Sequence, residues 1–264
     1  MNKIAVLGPE YSYSHLLGLK VYPNEKLVLC DRIEQVFKEI MGGKVSKGIV
    51  PVENMLQGSV RESIMGLLKY NVKINNAYTM PIHHCLAAQD NNYKIIASHL
   101  QALAQCSAFV ADKSVFECSS TSKAMKSAVD DHSYAAIGSK EAAEHHGLKI
   151  IKENIEDNYD NATRFLAISL EETVTGENAR TSLFLKPKED RPGLLFLILA
   201  PFASQNINLL KIESLPSGRK MGEYVFYIEI DGNVREERVK AALDFLRNSV
   251  EVYSLGSYEV RNLE

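Results

Sequence analysis

Over roughly the first 170 residues, short apolar runs alternate with stretches of helical period, and this rhythm is the main structural signal of the chain. Ile4–Gly8, Leu27–Cys30, Gly48–Glu53, Lys94–Ser98, Val115–Ser119, Tyr134–Ser139 and Thr163–Leu170 read as strands. Between them, Arg32–Met41 puts Ile33, Val36, Phe37 and Ile40 on one helical face. Such β-α alternation predicts parallel sheets covered by helices on both sides. One longer apolar segment, Val72–Ala88, breaks the rhythm and reads as a crossing between two lobes.

Glu171–Asn178 (EETVTGEN) is polar and aperiodic and marks a domain boundary, giving a first domain of residues 1–176 and a second of 177–264. The second reads strand Thr181–Lys186, helix Pro192–Ser204, strand Ile207–Ser214, strand Glu223–Ile230, helix Arg235–Arg247 and strand Val250–Glu259. That β-α-β-β-α-β order is the ferredoxin-like unit. Pro192 suits a helix start, whereas Pro201 should end or kink the helix that contains it.

Composition narrows the function classes. A net charge of -3 is spread evenly, with 12 basic and 12 acidic residues from Arg180 onward and the remaining 18 and 21 before it. No one-sided basic field is present for nucleic acid. Cys30, Cys85, Cys106 and Cys118 are well separated, which fits reduced, buried thiols better than a zinc site or a disulfide framework. The opening MNKIAVLGPE leads straight into a strand, and no apolar run approaches the length of a membrane span. A soluble, cytoplasmic protein is the expectation.

Four segments place small polar residues where the chain leaves a strand. Gly8–His15 (GPEYSYSH) ends a strand and puts hydroxyls, including Ser14, at a helix N-terminus, a ready anion site. Pro51–Val60 (PVENMLQGSV) carries Glu53 and Asn54 at the C-terminal end of a strand, and Gly58 and Ser59 open the next helix. In Ala97–Cys106 (ASHLQALAQC), Ser98 and His99 end a strand, and Gln101 and Gln105 share a helical face. In Asn161–Phe165 (NATRF), Thr163 and Arg164 begin a buried strand, where the arginine requires a carboxylate from protein or ligand. His83 and His84 are adjacent on an extended segment and point to opposite faces, so they cannot chelate one metal; both read as structural.

Taken in order, these segments resemble the prephenate dehydratase family along essentially the whole chain. GPEYSYSH is similar to the family's G-P-x-G-T-F-S-H and PVENMLQGSV to P-I-E-N-S-x-x-G-S-V. PIHHCL, SHLQALAQC, TSKA at Thr121–Ala124, AAIGS and NIEDNYDNATRF follow in family order. DRPGLL at Asp190–Leu195 and IESLPS at Ile212–Ser217 resemble an ACT regulatory domain. The chain departs from the family pattern at Tyr11-Ser12-Tyr13, Met55, Leu100 and Leu215; the last replaces an arginine whose guanidinium a leucine cannot imitate.

The resemblance implies an α/β fold: a two-lobed, periplasmic-binding-protein-like catalytic domain with substrate in the cleft, followed by a ferredoxin-like ACT domain. It implies decarboxylative dehydration of prephenate without cofactor or metal. Thr163 would lie nearest the leaving hydroxyl, with Glu53 as a candidate acid behind it. Asn54, Ser98 and Gln105 would orient substrate, and Arg164, Ser14, Gly58 and Ser59 would bind it. Gly193, Leu194, Asn208, Glu213 and Ser214 would hold L-phenylalanine between subunits of a homodimer or homotetramer. Arogenate dehydration and a non-catalytic small-molecule sensor are the alternatives.

Overall fold

A computed structural model describes residues 2–173, 179–218 and 223–263 of the chain. The boundary expected between residues 176 and 177 lies outside the described residues.

Lobe I is built first from β1 (Lys3–Leu7), α1 (Tyr13–Val21), β2 (Lys26–Cys30), α2 (Ile33–Met41), β3 (Lys47–Asn54), the two-residue β4 (Gly58–Ser59), α3 (Arg61–Tyr70) and β5 (Lys73–Pro81). The chain then crosses to lobe II, which comprises β6 (Cys85–Ala88), β7 (Ile95–His99), α4 (Leu100–Gln105), α5 (Ser107–Val110), β8 (Val115–Cys118), α6 (Thr121–Asp130), β9 (Tyr134–Gly138), α7 (Lys140–His145) and β10 (Lys149–Lys152). It returns to lobe I as β11 (Ala162–Ser169). The C-terminal unit follows: β12 (Arg180–Pro187), α8 (Leu194–Ser204), β13 (Leu209–Pro216), β14 (Tyr224–Asp231), α9 (Glu237–Leu246) and β15 (Val250–Asn262).

The sheets are mixed rather than wholly parallel. β2, β1 and β3 are parallel, but β11 runs antiparallel to both β3 and β5 because the second crossing brings the chain back from the far lobe. The lobe II sheet, β10-β6-β9-β7-β8, is likewise antiparallel at β6, where the first crossing enters. The Val72–Ala88 segment spans this crossing, with β5 in one sheet and β6 in the other.

The C-terminal unit has the strand order β13-β14-β12-β15 of the ferredoxin-like fold. One face of its sheet packs on α8 and α9 through Leu183, Ile198, Phe202, Ile228 and Leu243. The other face packs on lobe I, where Phe184, Leu215, Tyr227 and Tyr258 join Phe37, Ile64 and Leu67 in one core. Leu215 is only 2% exposed, so the leucine at the family's arginine position fills this interior. β15 carries the connection further: Val250–Tyr258 pairs with β12, and Glu259–Asn262 then pairs in parallel with β5. The result is a ten-stranded sheet running from lobe I into the C-terminal unit. Gly256, opposite Ser182 at the register shift in the β12–β15 pairing, has φ 123°, and an added Cβ there would lie 2.7 Å from the Ile74 carbonyl oxygen.

Two local expectations are corrected. Helix α8 runs through Pro201 to Ser204, so the proline does not end it; it removes the donor to the Leu197 carbonyl, while the Gln205 N–H closes the helix on the Pro201 carbonyl. Gly58 and Ser59 do not open a helix: they form β4 against β3, and α3 begins at Arg61.

Candidate active site

A cleft of about 320 Å³ opens between the lobes, a size suited to a small molecule. Its floor comes from lobe I strand ends. Asn54 closes β3 and Thr163 opens β11, and because the two are paired in register their side chains share one face. Asn54 acts as a clamp. Its Oδ1 accepts the N–H groups of Leu56 and Gln57 at 3.1 Å each, which fixes the amide. Its Nδ2 donates to Thr163 Oγ1 and Asn161 Oδ1 at 3.0 Å and to the Ala162 carbonyl at 3.3 Å. With one lone pair of Thr163 taken, the hydroxyl proton is left to point away from Asn54, toward the cleft that the residue lines.

The walls bring helix N-termini from opposite lobes. In lobe I, Ser12 caps α1: its hydroxyl accepts the His15 N–H at 3.3 Å and donates to the Leu7 carbonyl at 2.7 Å, with Tyr13 and Ser14 following into the cleft. In lobe II, Ser120 caps α6 by accepting the Lys123 N–H at 3.1 Å, and Ser119 and Thr121 line the same wall. Each helix end presents positive dipole potential to an anion. His99 caps α4, its Nδ1 accepting the Gln101 N–H at 3.3 Å, and Gln101 and Gln105 both face the cleft. Leu7, Pro9, Pro51, Ile82 and Phe165 supply an apolar lining. Among the described residues that line the cleft there is no lysine or arginine, so carboxylates would be met there by helix ends, hydroxyls and amides.

Several expected site residues stand elsewhere. Glu53 and Arg164 also pair in register, one position along from Asn54 and Thr163, and therefore project from the opposite face of the sheet. There Arg164 Nη1 and Nη2 meet Glu229 at 2.6 and 2.9 Å, and Nη2 meets Glu53 at 2.8 Å. Arg180 and the Tyr227 hydroxyl complete the shell of Glu229 at 2.9 and 2.8 Å, and Lys211 holds Glu53 at 2.6 Å. Burial alone would raise the Glu229 pKa, but the charge of Arg164, followed by its hydrogen bonds, brings it below the usual carboxylate range. For Arg164, burial would lower the pKa, and Glu229 reverses the sign and raises it. Arg164 is thus committed to protein carboxylates rather than to a ligand in the cleft, and Glu53 is no acid behind Thr163.

Ser98 is fully buried, and its hydroxyl donates to the Ile137 carbonyl at 2.7 Å, tying β7 to β9 rather than reaching the cleft. Gly58 and Ser59 are absent from the lining because β4 lies along β3. The four cysteines are free and buried, and burial pushes the Cys85 and Cys106 thiols up to about 12. Of the residues expected at an effector site, Gly193 caps α8 at φ 81°, with Leu194 buried behind it. Asn208 is exposed, and Glu213 and Ser214 lie on the edge strand β13, Glu213 at 3.7 Å from Lys211.

His84 reaches the cleft although its sequence position suggested a structural residue. It is buried, lines the cleft, and its Nε2 is 2.7 Å from Gln105 Oε1. Its neighbour His83 pairs with Glu156 at 2.7 Å. The signal that pointed away from His84, opposite faces for adjacent residues, ruled out a shared metal but not a role for one ring.

The chain matches the family model described as Prephenate dehydratase over residues 4–173 and that of the ACT domain over residues 189–248. It is 39% identical to the prephenate dehydratase of Methanocaldococcus jannaschii, covering 98% of this chain and 99% of that protein. It is 36% identical to the bifunctional chorismate mutase/prephenate dehydratase of Aquifex aeolicus, covering 97% of this chain and 73% of that one. Among solved structures, the prephenate dehydratase of Arthrobacter aurescens in complex with L-Phe superposes with a TM-score of 0.89 at 30% identity, covering 97% of this chain and 90% of that one.

Proposed function

The chain belongs to the prephenate dehydratase family, and from that premise we propose how its cleft converts prephenate to phenylpyruvate. The reaction is a vinylogous elimination. The ring C–CO₂ bond breaks, its electron pair passes through the diene, and the opposite C–OH bond breaks as the ring becomes aromatic. One proton is needed, on the departing hydroxide, so prephenate plus a proton gives phenylpyruvate, carbon dioxide and water. The protein has to bind two carboxylates, hold the ring and stabilise hydroxide as it leaves.

Each task has a group in the cleft. The N-termini of α1 and α6 suit the two carboxylates, and the apolar lining suits the ring. Thr163 is the donor to the leaving hydroxyl. A threonine is a poor acid, so its role is a directed hydrogen bond that strengthens as charge develops on oxygen. The observation that carries this reading is the Asn54 clamp, which occupies the acceptor side of the Thr163 hydroxyl and leaves its proton free. Gln105 and Ser14 orient the substrate from the two walls.

We further propose that L-phenylalanine binds where Gly193 and Leu194 of one subunit meet Asn208, Glu213 and Ser214 of another. Leu195, Phe196, Leu210 and Ile212, exposed on α8 and β13, give that face the apolar character of a contact between copies in a homodimer or homotetramer. The enzyme would work in the cytoplasm; among the described residues no helix is long and apolar enough to cross a membrane.

Ultraviolet detection of the product, with prephenate and arogenate offered separately, tests the activity. We expect turnover of prephenate and, in a folded Thr163→Val variant, a loss in kcat on the order of a hundredfold. No product from either substrate with the unaltered protein would overturn the activity. An undiminished Thr163→Val variant would remove the hydroxyl from the mechanism.

A further inference from the structure

We propose that His84 is a positioning residue, whose ring N–H fixes the side-chain amide of Gln105 so that its NH₂ group faces the substrate. The proposal rests on the reading of the cleft given above and extends it to a residue outside that scheme.

A glutamine amide carries an acceptor at one end and a donor at the other, and rotation about its last bond exchanges them. At Gln105 the His84 ring opposes the exchange: a flipped amide would need the ring proton on Nδ1, which is buried without a partner among the described residues. Oε1 lies 2.7 Å from His84 Nε2, and an oxygen can only accept, so the imidazole donates from Nε2. The opposite end, Gln105 Nε2, is buried without a hydrogen-bond partner among the described residues. Gln105 is 7% exposed and lines the cleft with Thr163 and Asn54, so its unmet donor belongs to a ligand with an acceptor oxygen, such as a carboxylate or keto group.

His84 is itself held from several sides. Its backbone N–H donates to Glu156 Oε2 at 2.9 Å and its carbonyl accepts the Ile155 N–H at 3.1 Å. The preceding carbonyl, of His83, takes the Tyr13 hydroxyl at 2.5 Å, and the Tyr13 ring meets the His84 ring edge-on at 6.2 Å. Burial lowers the His84 pKa against weaker opposing effects of Gln105 and Glu156, which keeps the ring neutral with a single N–H. Because His84 sits on the crossing between the lobes, with Tyr13 in lobe I and Gln105 in lobe II, the amide is aimed relative to both walls.

Two measurements test this. In steady-state kinetics, His84→Leu should raise KM for prephenate on the order of tenfold with a smaller change in kcat, and His84→Gln, which keeps a donor, should recover most of it. In a Gln105→Leu background, His84→Leu should add nothing further; additive losses, or a His84→Gln variant as impaired as His84→Leu, would overturn the proposal. Nitrogen-15 spectra of histidine-labelled protein give a second readout that needs neither turnover nor a folded His84 variant. They should show one neutral ring protonated at Nε2, and Gln105→Leu should turn it into an averaged tautomer mixture. A His84 ring, recognised as the signal that Gln105→Leu alters, protonated at Nδ1 or fully charged at neutral pH would sink the idea; His83, whose Nδ1 faces Glu156, is a separate signal. If prephenate is not turned over, the functional reading fails while the spectra still decide the role of His84.

Discussion

A hydroxyl has one proton and two lone pairs, and at Thr163 one lone pair is filled by the Asn54 amide from 3.0 Å. The chemistry therefore depends on Asn54 presenting nitrogen, not oxygen, on that side. Asn54→Asp would put a carboxylate oxygen against Asn161 Oδ1 and the Ala162 carbonyl, both acceptors, and against the Thr163 hydroxyl. The Thr163 proton would then turn inward to the new carboxylate. We expect kcat to fall on the order of a hundredfold, with a stability loss of about 1–3 kcal/mol from the crowded acceptors; kinetics and thermal melting check both. Asn54 and Thr163 were legible in the sequence as polar residues at strand ends. The direction of a proton was not, because it depends on the β3–β11 register, a pairing more than a hundred residues apart.

Strand β11 divides its labour by alternation: Thr163 faces the cleft and Arg164 the opposite side, where Glu229 of β14 receives it. The sequence identified Arg164 as needing a carboxylate, but the choice between ligand and protein rested on a partner 65 residues away in another unit. No local pattern shows that partner. Glu229 is fully buried, and removing its charge would leave Arg164 with the carboxylate of Glu53 alone and take from Arg180 its contact at 2.9 Å. We expect Glu229→Gln to cost about 3–5 kcal/mol in thermal or denaturant unfolding. Because the folded-state pKa of Glu229 is depressed, its contribution is fully present above roughly pH 4.3, the ordinary glutamate value, and is lost as pH falls below it. The variant should lack that part of the acid dependence. Unchanged stability and acid response would show that the pair contributes nothing net.

For the molecule as a whole, the two lobes and the ferredoxin-like unit could be read from the strand–helix rhythm and the order of elements, since both are local. The fusion of their sheets could not, because nothing in Glu259–Asn262 announces β5 as its neighbour. That fusion and the Glu229–Arg164–Glu53–Lys211 chain give the C-terminal unit a rigid route to the strands bearing Thr163 and Asn54. If phenylalanine acts through them, its binding and that of an unreactive substrate analogue should be coupled reciprocally, typically by 5–150-fold. Titration calorimetry with each ligand, alone and in the presence of the other, reads this directly; equal affinities would leave the C-terminal unit a scaffold only. The shared sheet also bears on wear of the chain. Were a protease to strip the final strand, Asn76–Thr79 would be left as a bare row of amides and carbonyls, a template for a stranger's backbone. Loss of a few terminal residues would then show first as clumping in solution, before any slowing of the catalyst.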